Sequence, residues 1–260
     1  MIKFSEWYVG IDCGVTKDPS AICVLGRCAP LPDDDNDVGP VLEIADLARA
    51  KAIPFTQVAA EVKRVVSILD GTVTVGLDST GPGEGLAQEL RRQGVRCVAF
   101  KMGGAGHRVV RRRDTWSVPS AHIYQCVYQL LVQRRLRMSP EHALTTTLVQ
   151  EMDACEVSYT PQGNVKYEVP RSGGSHGDLL VALGIAALLH EAPWSSQITA
   201  MARKYGPDRV HERRPGNRHF RGDTARQVVE DRLSESEREA QEYMRQERAR
   251  FEAAGWSCNE

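Results

Sequence analysis

Two stretches decide the fold: Trp7-Tyr8-Val9-Gly10-Ile11-Asp12-Cys13-Gly14 and Thr72-Val73-Thr74-Val75-Gly76-Leu77-Asp78-Ser79-Thr80-Gly81-Pro82-Gly83. The first is a short apolar run that stops at an aspartate and a turn, so it reads as a strand ending near Asp12. The second alternates. Val73, Val75 and Leu77 point one way, and Thr74, Gly76 and Asp78 the other. It too ends on an aspartate, and Gly81-Pro82-Gly83 breaks it.

Outward from these, residues 21–25 form a second strand, reached through Thr16-Lys17-Asp18-Pro19. An acidic loop over 31–40 leads to a third strand over 41–52. Three strands with short links imply an antiparallel meander. Thr56 suits a helix N-cap, and Val58, Val62, Val65, Val66 and Leu69 recur at helical spacing up to Asp70-Gly71. A helix is expected over 84–93, a strand over 95–100, a long helix over 118–135 and another over 140–152. Residues 155–159 and 165–169 flank Pro161-Gln162-Gly163-Asn164, a hairpin signal. After Ser172-Gly173-Gly174-Ser175 comes a helix over 178–189, apolar on every side and therefore buried. The order β-β-β-α-β-α-β-α, then helix, hairpin and helix, predicts an α/β fold. It has a mixed five-stranded sheet flanked by helices, an added β-hairpin and a charged C-terminal tail. Residues 1–195 are expected to form the domain. Residues 196–260, with Glu and Arg alternating over 226–252, are expected to be a helical or partly disordered extension.

Composition agrees with a globular chain. Of 260 residues, 42% are hydrophobic and 26% charged, which excludes collagen-like and wholly disordered classes. No apolar run approaches the ~20 residues of a membrane helix. The N-terminus lacks a signal-peptide layout, so a cytosolic setting is expected. The seven cysteines (13, 23, 28, 97, 126, 155 and 258) are odd in number and show no C-x-x-C spacing, against a zinc site or disulfide framework. The net charge of −1 conceals asymmetry. Residues 96–113 carry six Lys or Arg and no acid, and residues 203–226 carry eight against three acids. A nucleic-acid face is compatible with that distribution.

Three acids stand out by position. Asp12 ends the first strand, Asp78 ends the fourth, and Asp178 opens the buried helix. If the first and fourth strands are parallel neighbours, Asp12 and Asp78 lie side by side. Asp178 shares a helix face with Ala182, Ile185 and Leu189, and reaches the same edge if that face packs on the sheet. Gathered carboxylates repel one another unless a cation sits among them. An all-carboxylate set suits Mg²⁺ or Mn²⁺. Two such ions about 4 Å apart can serve the attacking water and the leaving oxygen of a phosphodiester. Each acid also has a plain structural role: Asp12 and Asp78 as turn or cap residues, Asp178 as a first-turn acid on the helix dipole.

Val9-Gly10-Ile11-Asp12-Cys13-Gly14, Lys17-Asp18-Pro19-Ser20-Ala21, Gly76-Leu77-Asp78-Ser79-Thr80-Gly81-Pro82-Gly83 and His176-Gly177-Asp178-Leu179-Leu180-Val181-Ala182-Leu183 together resemble the nuclease domain of the large terminase subunit of tailed bacteriophages. The likeness in order and spacing covers residues 7–191. It implies an RNase H-like fold and a two-metal-ion endodeoxyribonuclease. Such an enzyme cuts concatemeric viral DNA during genome packaging in the cytoplasm of the bacterial host. It also implies that Asp12, Asp78 and Asp178 hold two Mg²⁺ or Mn²⁺ ions, with Asp18 and His176 as supporting candidates. The partners implied are double-stranded DNA, a small terminase subunit, a portal protein and a terminase ATPase. No G-x-x-x-x-G-K-[ST] occurs in the chain, so the ATPase is expected elsewhere.

Glycines let backbone approach phosphate, and arginines supply charge. Lys101, His107, Arg108, Arg111, Arg112 and Arg113 are accordingly candidates for DNA-backbone contact, on a loop near the acids. The hairpin residues Tyr159, Val165 and Tyr167 either cover the sheet or touch DNA. The same residues admit a Holliday-junction-resolvase-like nuclease, a non-catalytic DNA- or portal-binding module, or an actin-like phosphate site built on Asp12-Cys13-Gly14 and Asp78-Ser79-Thr80-Gly81.

Overall fold

Side-chain alternation along the two decisive strands assigns a different job to each face of the sheet. In the computed structural model, described for residues 4–14, 18–28, 39–103, 109–112, 115–159, 165–170 and 177–191, these strands are β1 (Phe4–Asp12) and β4 (Thr72–Asp78). They pair in parallel, with Gly10 opposite Gly76 and Ile11 opposite Leu77. The meander continues from β1 into β2 (Pro19–Cys28) and β3 (Leu42–Lys51), each antiparallel to the last. On the other side of β4 lies β5 (Val98–Met102), again parallel.

The five expected strands thus form a contiguous centre, β5-β4-β1-β2-β3, but among the described residues the sheet has eight strands. Two short strands, β6 (Val110–Arg112) and β7 (Thr115–Val118), extend the β5 edge, and β8 (Leu136–Arg137) extends the β3 edge. Their two to four residues are too few to show a period. In β6 the alternation is further masked by the arginine run. The expected long helix is shortened at both ends. Val118 pairs with Met102 in the sheet, and Arg134 turns the chain at a positive φ of 55° before β8. What remains is α3 (Ala121–Val132).

Trp7, Val9 and Ile11 of β1 and Val75 and Leu77 of β4 face α1 (Phe55–Ile68) and α2 (Gly83–Arg92). There they meet Val58, Val62, Val65, Leu86 and Leu90 in a closed apolar core. The opposite face takes α5 (Asp178–Glu191), most of whose residues are fully buried. Each fully buried Leu or Ile contributes on the order of 2 kcal/mol. The close approach of α5 explains Gly10: a Cβ there would lie 2.0 Å from the Ala182 carbonyl oxygen and 2.6 Å from the Ala186 nitrogen. At Gly76 it would meet Leu189 and Ile185. α3 closes the outer side of α5, and α4 (Thr145–Asp153) packs near its start. At its end, Arg135 donates from both Nη atoms to Glu191, at 2.9 and 2.6 Å, and from Nε to the Pro40 carbonyl.

The hairpin is β9 (Glu156–Tyr159) and β10 (Val165–Glu168), an antiparallel pair apart from the main sheet. Tyr167 stacks on Tyr124 of α3, with centroids 5.2 Å apart, while Tyr159 is exposed. The cysteines at 13, 23, 28, 97, 126 and 155 are all free thiols. No helix among the described residues is long and apolar enough to cross a membrane. Residues 196–260 lie outside the described part.

Replacing Gly10 with Ala should force α5 off β1. The expected cost is about 3 kcal/mol of unfolding free energy, the upper range for an overpacked core. Urea denaturation of the variant against the wild-type chain measures it.

Candidate active site

The register that seats α5 also gathers the acids. Gly10-Ile11-Asp12 and Gly76-Leu77-Asp78 are in step, so each aspartate lies two residues beyond a glycine that touches the helix, on the same face. α5 runs antiparallel to β1 across Gly10. One turn before Ala182 it carries Asp178, which therefore comes down at the strand ends that hold Asp12 and Asp78. Asp178 is 4% exposed. Gly177, at φ +73°, makes the entry to α5 where a Cβ would strike Val169 at 2.9 Å.

The electrostatics follow from that proximity. Burial, first, and then the charges of Asp78, Asp178 and Glu151 hold the Asp12 carboxyl well above the usual carboxylate range. Asp78 is raised by burial, against the pull of its bonds with Thr80, whose N–H donates to Asp78 Oδ1 at 2.8 Å. The neighbouring Cys13 thiol is pushed up to about 12 by burial and by Asp12 and Asp78.

Glu151 is a fourth acid that sequence reasoning missed. It lies on α4 with no exposed surface, and its Oε2 accepts the Leu180 N–H of α5 at 2.9 Å. Oε1 is buried without a hydrogen-bond partner. A signal did exist: Leu148, Glu151 and Met152 form one buried i, i+3, i+4 stripe, so a carboxylate stands where the helix pattern asks for an apolar residue. The positive charge among these acids is Arg49 of β3. Its Nη2 lies 2.9 Å from Asp178 Oδ2 and 3.9 Å from Glu151 Oε1.

The sheet aligns these groups in one transverse row. Arg49 is opposite Ala21, and Ala21 is opposite Asp12. Asp78 is opposite Phe100, Phe100 opposite Trp116, and Trp116 opposite Arg111. Arg111 and Arg112 therefore sit on an edge strand rather than in a loop. Lys101 has the opposite parity to Phe100 and pairs with Glu84 of α2 at 3.9 Å, on the other face of the sheet. Asp18 precedes β2, with its carbonyl against Gly14, whose N–H bonds Ser20 Oγ. His107, Arg108, Arg113 and His176 lie outside the described residues, as does the side chain of Arg112.

The donor set suits a hard divalent cation: all oxygen, anionic, and including a buried carboxylate oxygen with no hydrogen bond. As they stand, no three His, Cys, Asp or Glu side chains among the described residues are drawn closely enough together to enclose one ion. The arrangement is a largely buried group of acids beside one arginine, Arg49.

The fold is the RNase H-like fold of large terminase nuclease domains. The large terminase nuclease of thermophilic phage G20c, a structure with bound magnesium, superposes with a TM-score of 0.50 at 20% identity, over 70% of this chain and 79% of that one. The nuclease domain of the Thermus phage P74-26 large terminase gives 0.50 at 17%, over 74% and 85%. No family model and no curated protein sequence matches the chain.

Removing one charge should relieve the crowding. In chelator at neutral pH, Asp12→Asn should raise the melting temperature by several degrees. Because the Asp12 carboxyl holds its proton more tightly in the folded chain than in the unfolded one, it costs stability above the ordinary carboxylate range, and that cost vanishes as pH falls through the range. The advantage of the variant should therefore shrink as pH falls toward the ordinary carboxylate range, which thermal melts at stepped pH will measure.

Proposed function

We propose that the chain is a divalent-metal-dependent DNA endonuclease of phage genome packaging, acting on concatemeric double-stranded DNA in the host cytoplasm. The observation that carries this reading is the convergence of Asp12, Asp78 and Asp178, from two adjacent parallel strands and a buried helix, on one sheet edge. In this reading Asp12, Asp78 and Asp178 hold two Mg²⁺ or Mn²⁺ ions. When bound, such ions supply the means to activate water and to stabilise the leaving 3′ oxygen. The chain's own part is to hold the carboxylates rigidly. Thr80 orients Asp78 through its N–H, and its hydroxyl is tied to β5 by the Met102 N–H at 2.9 Å. The α5 helix, clamped at Glu191 by Arg135, keeps Asp178 from retreating.

Arg111, in the acid row, is the candidate for DNA-backbone contact whose side chain is described, and Arg112 follows it on β6. His107, Arg108 and Arg113 complete the basic segment, and Lys101, on the other face of the sheet, is set apart from it. Asp18 and His176 are assigned supporting roles. Residues 1–195 make the nuclease part and 196–260 a charged extension. The terminase ATPase, small subunit and portal protein are the proposed partners.

Asp78→Asn should lower Mn²⁺-dependent nicking of supercoiled plasmid by at least ~10²-fold, the scale of losing a group that serves the reacting centre. Circular dichroism and DNA affinity should be unchanged. Equal cutting by the variant would remove Asp78 from the site. Arg111→Ala should weaken DNA binding alike for all sequences and reduce the salt-dependence slope by about 1. Fluorescence anisotropy over a salt series reads this.

A further inference from the structure

Arg49 is an unusual neighbour for a cation site. It projects from β3 in the same transverse row as Asp12, two strands away, onto the face that carries the acids. Its guanidinium is hydrogen-bonded to one acid, Asp178, and stands 3.9 Å from a second, Glu151, which is wholly buried and has an oxygen without a hydrogen bond. Asp178 opens α5, and Glu151 of α4 is tied to that same first turn by the Leu180 N–H that it accepts.

Two charges cannot share those oxygens cheaply. Without a cation, the buried carboxylates would be uncompensated, which is strongly destabilising. With a divalent ion on Asp178, the guanidinium would be held beside a like charge of twice its size. A flexible arginine on a strand can yield, whereas the backbone-bound carboxylate cannot.

We propose that Arg49 is the site's resident counter-cation: it neutralises Asp178 and Glu151 in the metal-free chain and is displaced from them when a divalent ion binds. Arg49 is thus a positioning residue that sets the metal concentration at which the site fills, and Glu151 is the buried acid that receives charge from whichever cation is present. The inference rests on the metal-site reading above. It predicts competition, so removal of Arg49 should loosen the metal-free protein and tighten metal binding.

The test is Mn²⁺ titration of the full chain by calorimetry, with melting temperatures in EDTA and in Mn²⁺, for wild type and Arg49→Gln. The variant should melt lower than wild type in EDTA and gain more from Mn²⁺. It should bind Mn²⁺ about tenfold more tightly, within the usual range of coupling between two ligands of a site. Arg49→Lys should fall between the two. Weaker or unchanged Mn²⁺ affinity in Arg49→Gln overturns the proposal while leaving the metal site standing. No binding of Mn²⁺ by wild type overturns both. Should Arg49→Gln fail to fold, wild type alone decides: arginine-specific dicarbonyl labelling of the Arg49 peptide, read by mass spectrometry, should rise when Mn²⁺ is added. A fall or no change counts against displacement.

Discussion

Everything at the site depends on how closely α5 lies on the β1–β4 pair. Gly10 and Gly76 sit side by side in register, and neither position has room for a Cβ beneath the helix. The helix backbone lies against β1 at Gly10, and the Ile185 and Leu189 side chains fill the space over Gly76 of β4, which restrains the helix from sliding or tilting. Its first turn is then located by the strands themselves. Asp178 arrives over Asp12 and Asp78 because one helical turn and two strand residues span similar lengths, roughly 6 Å. The apolar burial of α5 therefore positions three charged groups as well as holding the domain together.

That arrangement carries an electrostatic cost that the rest of the neighbourhood answers. Four acids, Asp12, Asp78, Asp178 and Glu151, meet where solvent is largely excluded, and Asp12 is driven toward its neutral form. A fold selected for stability alone would place apolar side chains here, since a buried ion group is rarely a net gain over them. The Arg49 contacts and the Leu180 N–H bond are the compensation. Strain concentrated at one edge of an otherwise apolar sheet is the ordinary signature of a working site.

Much of this was legible in the chain. The two Gly-x-Asp strand ends, the all-apolar helix over 178–189 and the Pro161-Gln162-Gly163-Asn164 turn announced strands, helix and hairpin, because each is a local pattern with a local physical cause. Glu151 and Arg49 were not, because what distinguishes them is a tertiary neighbour. Glu151 breaks the apolar stripe of its helix, but only α5, lying over it, shows that the carboxylate is buried among other acids, and Arg49 looks like a solvated strand residue until the register brings it level with Asp12. The short strands β6 to β8 escaped for a different reason. Their pairing is set by partners already in the sheet, and their own residues are too few to carry a period.

The two faces of the central strands divide the labour residue by residue. On β1, Trp7, Val9 and Ile11 supply the core with α1 and α2, while Tyr8, Gly10 and Asp12 serve α5 and the site. His190, near the C-terminal end of α5, touches the Tyr8 hydroxyl at 3.0 Å, so the helix meets the same strand face at its far end as it does over Gly10. A slip of one residue between β1 and its neighbours would exchange the faces, burying Ile11 against α5 and turning Asp12 into the α1–α2 core. Both errors are costly, and they are costly together. The hydrophobic pattern that makes the fold thus also enforces the register that brings Asp12 and Asp78 side by side, and the acids need no separate device to find one another.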